Sequence, residues 1–169
     1  MSGGPTPEVS VSGGDGRPGA GAAGGGSSLL RWGLGLLALS QFGVGFWQLF
    51  APRSFYGSLW VSALPPYNEH LMRDLGAMGV ALGVVSAAAA RSMEPRLVSV
   101  ALVADLTFTV PHLVFHSTHP GGLSAGSTVM LLGLLGGAVL LPAWLLWLSA
   151  RRPSRPGGAD RTARPAPRP

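Results

Sequence analysis

The chain has 169 residues, 47% of them hydrophobic and only 11% charged, with mean hydropathy +0.36, whereas about a quarter of a soluble domain is charged. This is a membrane composition, and the absence of cysteine excludes disulfides, thiolate nucleophiles and cysteine-based metal or redox centres. The pI near 11.3 does not point to nucleic acid: all twelve basic residues are arginine, and six of them (Arg151, Arg152, Arg155, Arg161, Arg164, Arg168) lie in residues 151–169, so the charge belongs to one end.

Residues 1–28, glycine-rich and almost free of large apolar side chains, bury too little to offset the entropy of ordering and are predicted to be disordered. Four apolar stretches follow, at 29–50, 71–90, 97–116 and about 124–149. Each has at least 20 residues, and about 20 helical residues cross a hydrocarbon core of about 30 Å. The expected fold is all-α, an integral membrane four-helix bundle within residues 29–150. The first stretch, LLRWGLGLLALSQFGVGFWQLF, is longer than the apolar region of a secretory signal and has no small-x-small cleavage site in the APRSF that follows, so it is read as a retained helix. The aromatics and prolines of SFYGSLWVSALPPY place the first loop along the membrane surface. The short hairpin RSMEPR makes the second and third helices antiparallel neighbours. The Arg/Pro-rich residues 151–169 are predicted to be a second disordered tail, attractive to anionic lipid.

Arginine placement predicts orientation. With the N-terminus inside, Arg17, Arg31, Arg91, Arg96 and the six tail arginines fall on or near the inner side, and only Arg53 and Arg73 near the outer, ten against two. The positive-inside rule then gives N-in and C-in, in a bacterial plasma membrane, since an all-arginine, Gly/Ala/Pro-rich composition is typical of GC-rich bacterial genomes.

One stretch is unusual: PYNEHLMRDLG puts Glu69, His70, Arg73 and Asp74 at the start of the second apolar helix. Pairing the second and third helices about the middle of RSMEPR makes facing residue numbers sum to about 187, which puts Asp74 level with His112 and His70 level with His116. On the third helix Asp105, Thr109, His112, His116 and His119 stand at offsets 0, 4, 7, 11 and 14, one stripe, with Pro111 between Thr109 and His112. Gln41 and Gln48 share a face of the first helix. A structural reading has Asn68 capping the second helix, Glu69 at its positive end and Arg73 held by Glu69. A functional reading groups the ionisable residues as an intramembrane ligand, metal or proton site near the outer leaflet. Asp105 is the hardest to explain structurally: near mid-bilayer an aspartate costs about 3 kcal/mol on insertion scales and needs polar neighbours such as Gln41.

HLVFH sets His112 and His116 four apart, a spacing that can chelate a metal with His70, Asp74 or Glu69 completing the sphere, and His70 with His112 or His116 is a bis-histidine haem alternative. The signal is short and lacks a second acidic ligand, so no cofactor is the primary expectation. Ser117 has no nucleophile context, and enzymatic activity is not expected. Two G-x-x-x-G spacings, 79–83 and 133–137, allow close helix approach within the chain or between copies.

The segments PYNEHLMRDLGAMGVALG and DLTFTVPHLVFHSTH resemble a group of small four-helix membrane proteins of actinobacteria with no assigned activity, which carry similar P-Y-N-E-H-x-x-R-D-x-G and P-H-L-x-F-H-x-x-H segments. The resemblance covers about residues 46–120, and the four-helix layout is similar to that of DoxX-like proteins. It implies that Glu69, His70, Arg73, Asp74, His112, His116 and His119 belong together, and it supplies no substrate. The expectation is a non-enzymatic membrane component binding a small ligand, a membrane-protein partner or a second copy; a metal- or haem-dependent redox or proton-transfer protein is the alternative.

Overall fold

The computed structural model describes residues 20–58, 60, 61, 66–119 and 121–151, with side chains from residue 25 onward. Most of the two segments expected to be disordered therefore lies outside the described residues. Five helices are present: α1 (Ala20–Phe50), α2 (Pro52–Tyr56), α3 (Glu69–Ser92), α4 (Pro95–Thr118) and α5 (Ala125–Ala150), with no strand among the described residues. The four long ones match the four apolar stretches and are long and apolar enough to cross a membrane. Large apolar side chains such as Leu39, Phe50, Val129 and Leu140 face outward, which is costly in water and natural in lipid. This is the architecture of a multi-pass membrane protein.

α1 starts at Ala20, nine residues ahead of the expected position 29. Glycine costs about 1 kcal/mol per position in a helix interior. Extending a helix that its apolar part has already nucleated, however, needs only one residue fixed per bond gained. α2 folds the first loop back on the helix ends. Trp47 Nε1 donates to Ser54 Oγ at 3.3 Å, the Trp47 and Phe55 rings meet edge-on at 5.3 Å, and Tyr56 packs on Tyr67 at the same distance. Such amphipathic rings suit the headgroup level.

The turn joining α3 to α4 needs only Met93 and Glu94. Met93 adopts the left-handed conformation (φ 54°) that ends a helix, its N–H donating to the Ala89 carbonyl. Glu94 then caps α4, its carboxylate accepting from the amides of Arg96 (3.0 Å) and Leu97 (2.6 Å), with Pro95 in the first turn. Those two backbone donors hold the Glu94 carboxyl below its ordinary pKa. α4 continues through Pro111 and α5 through Pro142 as single helices.

Around the bundle α1 lies between α3 and α5, and α4 between α3 and α5, so α1 and α4 are diagonal. The buried apolar core is gathered at the end carrying the Met93–Glu94 turn: Leu30, Leu34 and Leu37 of α1, Ala89 of α3, Val98, Ala101 and Leu102 of α4, and Leu145 of α5. The α1–α3 seam is the most extensive and is made by glycine. A Cβ at Gly76 would stand 2.6 Å from the Leu49 nitrogen and 2.7 Å from the Gly45 oxygen, and one at Gly45 would stand 2.8 Å from the Val80 nitrogen. Gly79 rests on Gly45, and Gly83 on the Phe42 ring. The 79–83 spacing thus works within the chain, whereas a Cβ at Gly133, Gly136 or Gly137 would meet nothing within 4 Å.

Candidate functional site

Asp105 sits ten residues into α4, about 15 Å from its start at 1.5 Å per residue, and is 3% exposed. Gln41 Nε2 donates to its Oδ1. Because α1 and α4 are diagonal, this bond crosses the middle of the bundle. It leaves two oxygens buried without a partner among the described residues, Gln41 Oε1 and Asp105 Oδ2. Thr109 does not reach them, since its hydroxyl bonds the Asp105 backbone carbonyl at 2.9 Å.

Magnitudes show that the pair is not a stability device. A mid-bilayer aspartate costs about 2.5–3.5 kcal/mol on insertion scales, and an interhelical hydrogen bond in a membrane contributes about 0.6 kcal/mol on average and at most about 1.7. On the order of 1–3 kcal/mol remains uncompensated.

Toward the far end of α4 the stripe changes character. His116 is 6% exposed, whereas His112, on the same face, is exposed. His112 thus lies on the stripe of Asp105 and His116 but at the surface of the bundle. The two imidazoles meet edge-on, centroids 4.7 Å apart. Phe108 stacks on His112 at 5.5 Å and Phe115 on His119 at 4.6 Å. His119 Nδ1 lies 2.9 Å from Thr118 Oγ1 and 3.2 Å from the Phe115 carbonyl, so it closes the end of α4. No ring nitrogen of His112 or His116 has a hydrogen-bond partner among the described residues.

The charged start of α3 divides into two parts, neither bonded to α4. Asn68 caps the helix, its Oδ1 accepting from the Leu71 amide at 3.1 Å. Arg73 bonds Glu69 (2.9 Å) and donates to the Leu49 carbonyl (2.6 Å), an orphan acceptor of the last turn of α1. These residues tie α3 to α1. His70 and Asp74 pair with each other at 3.3 Å, with side chains 86% and 63% exposed. The expected levels, Asp74 with His112 and His70 with His116, concern depth. The face is set separately: Gly76 and Gly83 turn toward α1, Ser86 and Ala89 are buried, and Asp74 falls in an exposed row with Ala77, Met78 and Ala81. Of the eight expected site residues, Asp105, His112 and His116 share one stripe with His119 at its end, Glu69 and Arg73 belong to the α1 clamp, and His70 and Asp74 stand apart.

The metal candidates His112, His116, His70 and Asp74 do not form one ligand set, and among the described residues no group of three or more His, Asp or Glu comes together. Sequence reasoning did not identify the Leu49 carbonyl as the Arg73 partner, which no side-chain pattern announces. Nor did it find a cavity of about 440 Å³ between the end of α1, α2 and α3, lined by Arg53, Tyr67, Glu69 and Arg73. It also missed Gly45, for which GVGF in the first helix was the available signal. Comparison of the chain with family models, curated proteins and solved structures found no match.

Proposed function

We propose that this multi-pass membrane protein is a non-enzymatic binding component that takes a small ligand offering hydrogen-bond donors at the Gln41–Asp105 pair. One observation carries the reading: the remaining oxygens of this hydrogen-bonded pair, Gln41 Oε1 and Asp105 Oδ2, are both buried with nothing to accept from among the described residues. Unmatched buried acceptors are costly, and an ionisable group facing the interior of a membrane bundle is by default functional. The exposed His112 supports entry from its level. A small ammonium ion is the simplest complement. Propylammonium should raise the thermal midpoint of the full chain in detergent, whereas tetramethylammonium, with no N–H, should not, and Asp105→Asn should remove the effect. Equal responses to both ions, or a response that survives in Asp105→Asn, overturns the reading.

The His112 and His116 rings, 4.7 Å apart above Asp105 on one helix face, favour proton transfer as a second reading. Proton uptake by proteoliposomes that is lost in Asp105→Asn, with no stabilisation by propylammonium, selects it. We infer N-in, C-in insertion in a bacterial plasma membrane from the ten-to-two arginine split. Ser58→Cys should react with an impermeant reagent added outside and Ser154→Cys should not; the reverse pattern inverts the topology.

A further inference from the structure

At the end of the bundle opposite α2, a groove of about 520 Å³ runs along the outer side of the α1–α3 seam. Its floor is made of small residues, Gly35, Ala38, Ala87 and Ala90, and its walls are Trp32, Leu39 and Phe42. Arg31 and Arg91 stand at its mouth. Neither guanidinium has a hydrogen bond, ion pair or ring contact among the described residues. The other charges at this end are differently placed: Arg151 lies 3.7 Å over the Trp147 ring, Glu94 is occupied by its two backbone donors, and Arg96 is not part of the groove lining. From Arg31 to Phe42 the groove runs eleven residues, about 16 Å at 1.5 Å per residue, which is about half of a 30 Å hydrocarbon core and therefore one leaflet.

Two unpaired cations at the headgroup level above an apolar groove one leaflet deep complement a single class of molecule. We propose that the groove holds one anionic phospholipid, its phosphate between Arg31 and Arg91 and one acyl chain along Gly35, Ala38 and Phe42. The cations supply the selection for negative charge, and the small side chains of the floor supply the space. Exposed Trp32 fits the boundary between headgroup and chain. This site is separate from the Gln41–Asp105 pair and does not depend on its role.

Native mass spectrometry of the full chain in detergent, titrated with phosphatidylglycerol, phosphatidylcholine or inorganic phosphate, tests the site. One phosphatidylglycerol should be retained saturably, with phosphatidylcholine at least tenfold weaker and inorganic phosphate failing to displace it. Each of Arg31→Gln and Arg91→Gln should weaken binding about fivefold, and the pair about thirtyfold. Arg96→Gln, which removes a charge at the same end but outside the groove, should leave affinity within about twofold of the parent. Gly35→Leu is the second arm: a Cβ there meets nothing within 4 Å, so a side chain can be added to the groove floor, where it should compete with the acyl chain and weaken retention without lowering the lipid-free thermal midpoint. Retention unchanged in Gly35→Leu, an Arg96→Gln effect equal to that of Arg31→Gln, equal affinity for phosphatidylcholine, or displacement by inorganic phosphate would each overturn the proposal.

Discussion

An alanine at Gly76 puts a methyl group 2.6 Å from the Leu49 nitrogen and 2.7 Å from the Gly45 oxygen. Ordinary contact begins at 3.4 Å, so 3.4 − 2.6 = 0.8 Å must be opened. Both obstructing atoms are backbone, and no side-chain rotation relieves them; α1 has to move as a body. A gap of that size forfeits about a quarter to a half of each dispersion contact along the seam, and overpacking typically costs about 1–3 kcal/mol, here at the upper end. Alanine returns about 1 kcal/mol through helix preference, leaving a net loss of about 2 kcal/mol, or roughly thirtyfold in the folding equilibrium. Gly133→Ala is the matched control, since its Cβ enters open space, and it should gain up to about 1 kcal/mol. Gly83→Ala should fall between the two, because the obstructing Phe42 ring can turn. Denaturant unfolding in detergent, followed by tryptophan fluorescence, reads all three. If Gly76→Ala stays within about 0.5 kcal/mol of the parent, α1 and α3 do not approach as described.

The diagonal bond gives a second test: Gln41→Leu should cost about 1–3 kcal/mol by stranding Asp105, whereas Gln41→Leu with Asp105→Leu should be at least as stable as the parent. Additive losses would mean that the two side chains do not meet; Asp105→Arg, for its part, should lower accumulation in the membrane. Arg73→Gln should destabilise by about 1 kcal/mol by freeing the Leu49 carbonyl, and Glu69→Gln by less, because the half-exposed ion pair is screened; the reverse order in thermal midpoints would refute the clamp. The Glu94 cap sets a pH window. Its carboxyl is lowered from 4.5, so its contribution is full above that value and is lost as pH falls through the folded-state pKa. The stability gap between the parent and Glu94→Gln should therefore narrow below about pH 4.5, and a gap that is constant from pH 7 to 3 would show that the charge plays no part in capping.

The four long helices were legible because an apolar run of 20 residues has few physical alternatives, and the Asn68 cap and the Glu69–Arg73 pair because they are local, set by spacings of three and four residues on one helix. Gln41 was legible as a neighbour of Asp105 because few polar groups exist at that depth. The face each helix turns to its neighbours was not legible. Register arithmetic put Asp74 level with His112, but rotation about the α3 axis is set by where backbones approach closest. That depends on Gly45 meeting Gly76 and Gly79, and although Gly76, Gly79 and Gly83 form a periodic row on α3, nothing in that row names the partner on α1. The early start of α1 was hidden for a different reason: helix extension into AGAAGGGSS follows from the nucleated segment after it rather than from the glycines themselves.

The uneven distribution of the core has a mechanical consequence. Leu34, Ala89, Leu102 and Leu145 pin all four long helices at one end, and the two-residue Met93–Glu94 turn allows α3 and α4 little freedom to slide there. From Leu102 to His116 is fourteen residues, an arm of about 21 Å at 1.5 Å per residue. A tilt of about 5° about the pinned end therefore carries His116 through about 2 Å, while Asp105, only three residues from the pivot, moves by less than about 0.5 Å. Any tilt of α4 about that end would therefore shift the imidazoles several times farther than the carboxyl group and leave the Gln41–Asp105 bond nearly in place.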